Sequence, residues 1–355
     1  MHSTQMVSGV CLSIFTNDVL NGHSDTFASS SFCPSETAIV YTAEVNGKEE
    51  TKPAYEKYRY EPDFGERLTG RKRPGIFIFR WGPTTAEPEA DSDSPAGPSY
   101  SSPRISIARL APTNIPDDLH VFFGQAVFHS DDHVFATGYE QTADGRLLGI
   151  TGCYNRPSGI WEFTLPTYLD RRSTKCSCIA EKLTLRNRSC RSPRVVRHES
   201  KSTLVWLSHE LGGPHHSCAK LHARDLDTGA EQTLVDTVWE PGKDDFCGLY
   251  LEQLPQQPLL VIQSKPYLVA HSVRRFHNAI HLISLDNSEP SRVVHPDQRG
   301  QVYNWTVLNT DGRSHFLCAR SRTDVPNELV LASFSTPGQV RVQVINKPAV
   351  SPRGE

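Results

Sequence analysis

The sequence predicts an almost all-β protein in which one short unit of strands repeats along the chain. The clearest copy is Ser192–Asp236, which contains four apolar or alternating runs of strand length and closes the last two with an Asp227-Thr-Gly229 turn. A similar layout recurs roughly every 50 residues. The 25 Pro and 23 Gly residues are spread along the whole chain, and no segment keeps a long 3.6-residue apolar period. Four strands in a unit of this length are typical of a β-propeller blade.

The other copies are recognised by paired apolar runs of strand length. In chain order these are Ala38–Tyr41 with Gly75–Phe79, His133–Ala136 with Gly159–Phe163, Leu259–Ile262 with Ile280–Leu285, and His315–Cys318 with Leu329–Phe334. A single four-stranded meander cannot bury both of its faces, so successive sheets must stack. We therefore predict about five or six blades.

The order of segments follows from composition. Residues 1–29 are irregular in pattern, and the blades are expected over 30–345, beginning with the run that leads into Ala38–Tyr41. Residues 82–103 are dense in Pro, Ser, Ala, Glu and Asp, which predicts a disordered insertion within one blade. Residues 346–355 are expected to be a tail. The charged stretch up to Arg73 is interpreted as a loop, and its Arg71-Lys-Arg73 triplet as solvated rather than as a nuclear signal or phosphate patch.

Charge and cysteine content narrow the class of protein. A net charge of −3 and a pI near 6.6 give no electrostatic reason for binding nucleic acid or an anionic membrane surface. The sequence contains neither an apolar run of membrane-spanning length nor a signal peptide pattern. The nine cysteines are scattered and odd in number, which favours reduced thiols and a cytoplasmic protein. The sequons at Asn187 and Asn304 are therefore expected to be silent.

One longer motif carries a family resemblance. The stretch Gly145-Arg-Leu-Leu-Gly-Ile-Thr-Gly-Cys-Tyr-Asn-Arg-Pro-Ser-Gly-Ile-Trp161 resembles the propeller part of acylaminoacyl-peptidases, which are serine peptidases of the prolyl oligopeptidase family. Further similar stretches follow in the family's order. They are Tyr60–Glu66 with the Ile76–Phe79 strand, Ser192-Pro-Arg194, Pro214–Leu221, Phe246–Tyr250 and Ser333–Pro337.

The resemblance implies a particular enzyme. In that family a seven-bladed propeller covers an α/β-hydrolase domain that follows it and carries Ser, Asp and His, whereas this sequence stops at Glu355, close to where that domain would begin. The whole enzyme would release an N-acylated residue from short blocked peptides. The expected partners are therefore those peptides, the α/β-hydrolase domain that is absent here, and further copies of the chain in a homo-oligomer.

Chemistry on this chain alone is not expected. A hydrolase nucleophile needs a Gly-x-Ser-x-Gly elbow, which exposes the hydroxyl beside backbone N–H groups, and the sequence contains none. We therefore predict no catalytic residue, no cofactor site and no metal site. The alternatives to a peptidase propeller are a free-standing propeller that binds a protein partner, and a remnant whose open sheet edges prevent a stable fold.

Several clusters of histidine, cysteine, acidic or tryptophan residues are candidates for a metal, catalytic or ligand site. The set His215-His216-x-Cys218 and the set Cys176, Cys178 and Cys190 lack the second half of a zinc pattern, so one packed and one solvated histidine and buried thiols are expected. Acidic residues in Ser130–His133 and Asp244-Asp245 are interpreted as turns rather than a calcium or acid–base site. The tryptophans at blade spacing are interpreted as packing between blades rather than as an aromatic cage. They are Trp161, Trp206, Trp239 and Trp305.

Overall fold

A computed structural model describes residues 26–45, 55, 58, 62–81, 105–167, 173–242, 246–286, 291–294, 301–336 and 339–346. Those residues form strands and turns, and none of them lies in an α-helix. The chain divides into two compact units: unit 1 contains residues up to Thr151 together with Gly159–Thr184, and unit 2 contains Gly152–Ser158 together with Leu185 onward. The predicted insertion at 82–103 lies outside the described residues, as does the greater part of the predicted irregular start. Of the predicted tail at 346–355, Asn346 is the last residue of a strand and the rest lies outside the described residues.

Unit 1 is built of two groups of strands. In the first group β1 to β4 form an antiparallel meander in chain order. In the second group β5 pairs with β6, β6 with β7, and β7 with β8. The outermost strand β8 also runs parallel to β4, with Leu110 opposite Cys176. The bounds are β1 Ser30–Phe32, β2 Ala38–Glu44, β3 Pro74–Arg80, β4 Ser106–Pro112, β5 Val121–Phe128, β6 His133–Glu140, β7 Ser158–Thr164 and β8 Lys175–Lys182.

The alternation along these strands decides which side chains enter the core. Val40, Ile78 and Ala108 are opposite one another on β2, β3 and β4, and all three are buried. Their neighbours one position away point to the other face of the sheet, because strand side chains alternate. That face carries a row made of Phe32, Ile39, Phe79 and Ile107, which we call the outer row. Phe32 is 61% exposed and Ile107 is 43% exposed.

Unit 2 contains three consecutive four-stranded antiparallel meanders in chain order, which we call its sheets. The first strand of the first sheet also makes a parallel bridge from Ser189 to Ser158. The first sheet confirms the four strands and the Gly229 turn predicted for Ser192–Asp236. The sheets are the blades of a β-propeller fold, so the repeat predicted from the sequence is confirmed. Their strands are β9 Arg188–His198, β10 Lys201–Glu210, β11 Lys220–Asp225, β12 Glu231–Val235, β13 Leu259–Ile262, β14 Lys265–Arg274, β15 His277–Ser284, β16 Arg292–Val294, β17 Asn304–Thr310, β18 His315–Arg322, β19 Val325–Thr336 and β20 Gln339–Asn346.

Successive sheets of unit 2 share apolar cores. Tyr267 and Leu282 on the β13–β16 sheet belong to the same buried cluster as Trp305, Phe316 and Val330 on the β17–β20 sheet. Burial of aromatic and branched side chains at this level is the main favourable contribution to folding. The meanders therefore stack as the sequence predicted, since neither sheet could hide this surface alone.

Candidate functional site

Stretches that carry the family resemblance meet at one end of unit 2. The Arg191 guanidinium lies over the Tyr154 ring, 4.3 Å from its centroid. The amide of Asn155 donates to the Gly213 carbonyl at 2.8 Å, in the loop that precedes β11. In turn Ala219, at the end of that loop, donates to the Leu249 carbonyl at 2.7 Å. The structure thus brings together residues that are up to about a hundred positions apart in sequence.

Arg191 and His209 form a buried pair whose protonation follows from its partners. Arg191 Nη1 lies 2.8 Å from His209 Nδ1, and His209 Nε2 lies 2.9 Å from the Ser217 carbonyl oxygen. Guanidinium groups only donate and carbonyls only accept, so Nδ1 must be the acceptor and Nε2 must carry the proton. Burial, reinforced by the Arg191 charge, lowers the pKa of His209 to about 4. This histidine is therefore neutral at pH 7.

Arg194 fixes the segment that leads into β13. Its Nε and Nη2 donate to the Pro255 and Leu254 carbonyls at 2.7 Å each, and Nη1 donates to the Pro193 carbonyl at 2.8 Å. Ser192 Oγ accepts the Leu254 N–H at 2.8 Å. Arg191 similarly donates to the Leu251 and Glu252 carbonyls. These contacts are to backbone carbonyls, so this end of unit 2 is an architectural clamp rather than a reaction centre.

A serine–histidine pair that the sequence analysis did not single out lies on β10 and β11. Ser208 Oγ is 2.7 Å from His222 Nε2, and Thr233 Oγ1 is 3.3 Å from His222 Nδ1. Burial, with help from the Arg188 and Lys220 charges, lowers the pKa of His222 to about 4. Ser208 is only 1% exposed in the middle of the sheet. The pair lacks the exposed elbow that a nucleophile needs, so it stabilises the blade.

The histidine and cysteine clusters carry no metal-binding arrangement. Among the described residues, no three His, Cys, Asp or Glu side chains are grouped to hold a metal ion. His215 and His216 lie in a loop before β11, as predicted, and both residues are exposed. The His216 ring also packs edge to face on the Tyr154 ring, with centroids 5.2 Å apart. Cys176, Cys178 and Cys190 are buried as expected, and burial raises the pKa of Cys178 to about 12.

The acidic turn between β5 and β6 behaves as the turn that the sequence predicts. Asp131 Oδ1 accepts the Ser35 N–H at 3.0 Å, and Asp132 accepts the Ser130 hydroxyl at 2.5 Å. These hydrogen bonds hold the pKa of both carboxyl groups below the usual range. The second pair considered, Asp244-Asp245, lies outside the described residues.

Three of the four tryptophans at blade spacing are packed as predicted. Trp161, Trp206 and Trp305 are all buried, and Trp206 stacks on the His222 ring at 5.3 Å. Trp239 departs from this expectation, since it is 86% exposed in the segment that follows β12. An irregular connection does not impose the inward alternation of a strand, so blade spacing alone could not predict its exposure.

A cavity lies in unit 1, at the end of the sheet where β3 begins and β4 ends. Its volume is about 1,120 Å³. Phe122, Phe123 and Phe163 form part of its wall, together with Leu147 and Ile115. The Phe123 and Phe163 rings meet edge to face at 4.9 Å, which fixes that side of the cavity. This volume is slightly above the roughly 300–1,000 Å³ that is usual for ligand pockets.

The charged groups lining this cavity are predominantly cationic. They are Asp63, Arg71, Lys72, Arg73 and Arg109. Arg71 contacts Glu44 at 3.6 Å and Arg73 donates to Gln141 at 3.4 Å. Within the described part of the chain, the side chains of Lys72 and Arg109 make no hydrogen bond or ion pair. The loop bearing the basic triplet was correctly predicted, but its place on a cavity could not be read from the sequence.

The comparison with protein families decides where this fold belongs. The family model for the N-terminal domain of acylamino-acid-releasing enzyme matches residues 110–346. The chain belongs to this family. The match begins within β4 and ends with β20, so it includes the three complete blades of unit 2.

Individual members of the family are distant in sequence. The mouse acylamino-acid-releasing enzyme is 23% identical over 323 residues, which cover 88% of this chain and 38% of the mouse protein. The human enzyme is 29% identical over 108 residues, covering 30% of this chain and 13% of the human protein. The chain thus spans little more than a third of the mouse relative.

Solved structures with weak similarity were also found. Prolyl oligopeptidase B from Galerina marginata is 13% identical with a TM-score of 0.45, and the match covers 90% of this chain and 33% of that one. A structure from a study of two prolyl endopeptidases is 11% identical with a TM-score of 0.45, covering 91% of this chain and 36% of the other.

No helix among the described residues combines the length and the hydropathy needed to cross a membrane.

Proposed function

We propose that this chain forms the substrate-gating propeller of an acylaminoacyl-peptidase, a serine hydrolase that releases N-acylated residues from short blocked peptides. The observation that supports this most strongly is the family match over residues 110–346. The stacked four-stranded sheets agree with it, because they are rigid blades that carry no nucleophile elbow. Catalysis would reside on an α/β-hydrolase domain beyond this chain.

The role of the propeller would be to enclose the reaction. A body of packed sheets over a catalytic domain excludes water and folded proteins, while short flexible peptides still enter. The buried arginine clamp supports such a role, because it fixes the segment between two blades and keeps the body rigid. The propeller would thus select substrates by size rather than by direct chemistry.

The test is hydrolysis of a chromogenic acetyl-alanine substrate by two purified proteins. One is the 355-residue chain, and the other is the same chain extended into the reading frame downstream of codon 355. We expect turnover only in the extended protein. Turnover by the 355-residue chain would contradict the assignment of catalysis to another domain, and inactivity of both would contradict the peptidase proposal.

A second candidate function is a scaffold that binds a protein partner. The outer row on β1 to β4 favours it, because Phe32 and Ile107 expose apolar surface of the kind found at protein interfaces. Inactivity of both proteins in the hydrolysis assay would favour this candidate. A protein with Phe32→Ser and Ile107→Thr would then be expected to lose a partner that the parent chain binds.

A further inference from the structure

We propose that the cavity in unit 1 binds the free C-terminal carboxylate of a short peptide and packs the peptide's last apolar side chains against its aromatic wall. The inference rests on the proposed function, since it names how a peptide substrate is held while its blocked end is processed elsewhere. The sequence pattern alone does not predict this binding site, because the residues that line the cavity come from separate segments between Val45 and Phe163.

The charge of the cavity selects an anion. Lys72, Arg73 and Arg109 outnumber the single lining carboxylate, Asp63, which already accepts the Gly65 N–H at 2.8 Å. Glu44, which is not a lining residue, contacts Arg71 and offsets part of that charge. Arg109 is partly buried, and Lys72 is exposed at the rim. A partly desolvated guanidinium favours a carboxylate because it can donate two parallel hydrogen bonds.

The stem of the Arg109 side chain packs closely against Gly75, which has no side chain to keep it away. A Cβ atom placed on Gly75 would lie 3.2 Å from Arg109 Cδ and 2.8 Å from Val45 Cγ2. The aliphatic part of Arg109 therefore runs close over the backbone of β3, where any larger residue would displace it. Packing of the stem limits the positions of the guanidinium, which lowers the entropy lost when it binds an anion.

The wall beside these cations is apolar and in part accessible. Val121, Phe123 and Leu147 are half-buried, while Phe122 and Phe163 are buried. A ligand with a charged end and an apolar body would satisfy both parts of the surface. A cavity of about 1,120 Å³ accommodates several residues of a peptide. A short peptide with a free C-terminus has this combination of properties.

The test is calorimetric titration of the 355-residue chain with matched peptides at low salt. The probes are acetyl-Ala-Phe-Leu with a free carboxylate, the same peptide as its C-terminal amide, and acetyl-Glu-Phe-Leu amide, which carries its charge on a side chain. We expect the free acid to bind about tenfold more tightly than either amide, which corresponds to about 1.4 kcal/mol. We also expect this preference to shrink at 0.5 M salt.

Variants locate the binding to the cavity. Arg109→Met keeps the aliphatic packing and removes the charge, so it should lower affinity for the free acid about tenfold and leave the amide unchanged. Arg109→Lys should keep more than half of the acid preference. The matched control is Arg341→Met on β20, an exposed arginine whose side chain makes no hydrogen bond or ion pair among the described residues. It should bind all three peptides as the parent chain does.

Three results would overturn the proposal. The first is equal affinity for the free acid and its amide. The second is an acid preference that survives in Arg109→Met with Lys72→Met, provided that thermal unfolding shows the variant to be folded. The third is binding of the glutamate-bearing amide as tightly as the free acid. Because titration needs no turnover, acid-selective binding by the 355-residue chain together with inactivity of the extended protein would contradict the peptidase proposal and leave this one standing.

Discussion

At the scale of single residues, three histidines of unit 2 are kept neutral by their surroundings. Burial lowers the pKa of His209, His222 and His271 to about 4. Their pKa values in the unfolded chain are about 6.5, so between pH 6.5 and 4 the unfolded chain binds more protons than the folded one. The stabilising effect of the neutral rings is therefore complete above about pH 6.5 and is lost as the pH falls toward 4.

We expect the thermal midpoint to fall as the pH is lowered from 7.5 to 5. The matched variant is His271→Asn, because the His271 Nδ1 atom accepts the Val307 N–H at 3.2 Å and an asparagine oxygen can occupy a similar position without titrating. Its midpoint should decline less steeply with pH than that of the parent chain. The thermal midpoints are measured by circular dichroism. If they fall equally steeply with pH in the two proteins, His271 is not a source of the pH dependence.

Arg194 should matter for stability far more than an exposed arginine. It is 4% exposed and donates three hydrogen bonds to carbonyls. Replacing it by Met leaves those buried acceptors without a donor, which should cost about 2–4 kcal/mol of unfolding free energy. Arg341→Met should change the same quantity by less than about 0.5 kcal/mol. Urea denaturation of both variants measures the difference, and equal midpoints would contradict the clamp.

Sequence reasoning at this scale succeeded where burial follows from strand alternation. It predicted packed positions for Trp161, Trp206 and Trp305, but not the exposure of Trp239. It could not foresee that Arg191 and Arg194 are buried, since a charged residue on a strand is ordinarily on the solvated face. Their carbonyl acceptors lie about sixty residues further along the chain, at a distance that no local pattern records.

At the scale of elements, close packing of one strand on the next sets tight limits on side-chain size. A Cβ atom added to Gly138 on β6 would lie 2.6 Å from Trp161 Cδ1 and 3.0 Å from Phe123 Cε1. We expect Gly138→Ala to destabilise the protein by about 1–3 kcal/mol, because the Trp161 indole must leave its position.

The control for this prediction is Gly149→Ala. The nearest atom to a Cβ at Gly149 is the Phe64 carbonyl oxygen at 3.9 Å, which is ordinary van der Waals contact. This variant should therefore unfold at nearly the same temperature as the parent chain. If Gly138→Ala unfolds at that temperature as well, the close packing of Trp161 on β6 does not limit side-chain size there.

The sequence predicted strands better than it predicted their partners. Alternation in the Gly75–Phe79 run identifies β3 and its buried face, and the Gly229 turn identifies the hairpin of β11 and β12. The parallel pairing of β4 with β8 was not predicted. Alternation specifies which face of a strand is buried but carries no information about a neighbour more than sixty residues away. The cavity site was missed for the same reason.

At the scale of the whole molecule, thiol reactivity offers a probe of opening in each unit. Burial raises the pKa of Cys178 in unit 1 to about 12, and it raises the pKa of Cys318 in unit 2 as well. Both side chains are buried, whereas Cys153 is partly exposed. Alkylation at pH 8 should therefore label Cys153 at least about tenfold faster than Cys178 or Cys318, because a buried thiol reacts only after local or global unfolding.

Peptide mapping by mass spectrometry gives the labelling rate at each cysteine. A moderate concentration of urea should increase the labelling rates of Cys178 and Cys318 but leave the labelling rate of Cys153 nearly unchanged. Fast labelling of Cys178 in native buffer would contradict the packed core of unit 1, and fast labelling of Cys318 would contradict that of unit 2. The two thiols thus report separately on the two units.

The pairing of strands with their nearest neighbours in sequence also affects how the chain folds during its synthesis. The second and third sheets of unit 2 each complete their strand pairing within one continuous stretch, such as Leu259–Val294. A stretch of this kind can form its hairpins as soon as its last strand has left the ribosome. Strand β4, by contrast, must wait for β8 before its second edge is paired. During synthesis we therefore expect the second edge of β4 to stay unpaired until β8 has formed, and an unpaired sheet edge is a site at which chains can aggregate.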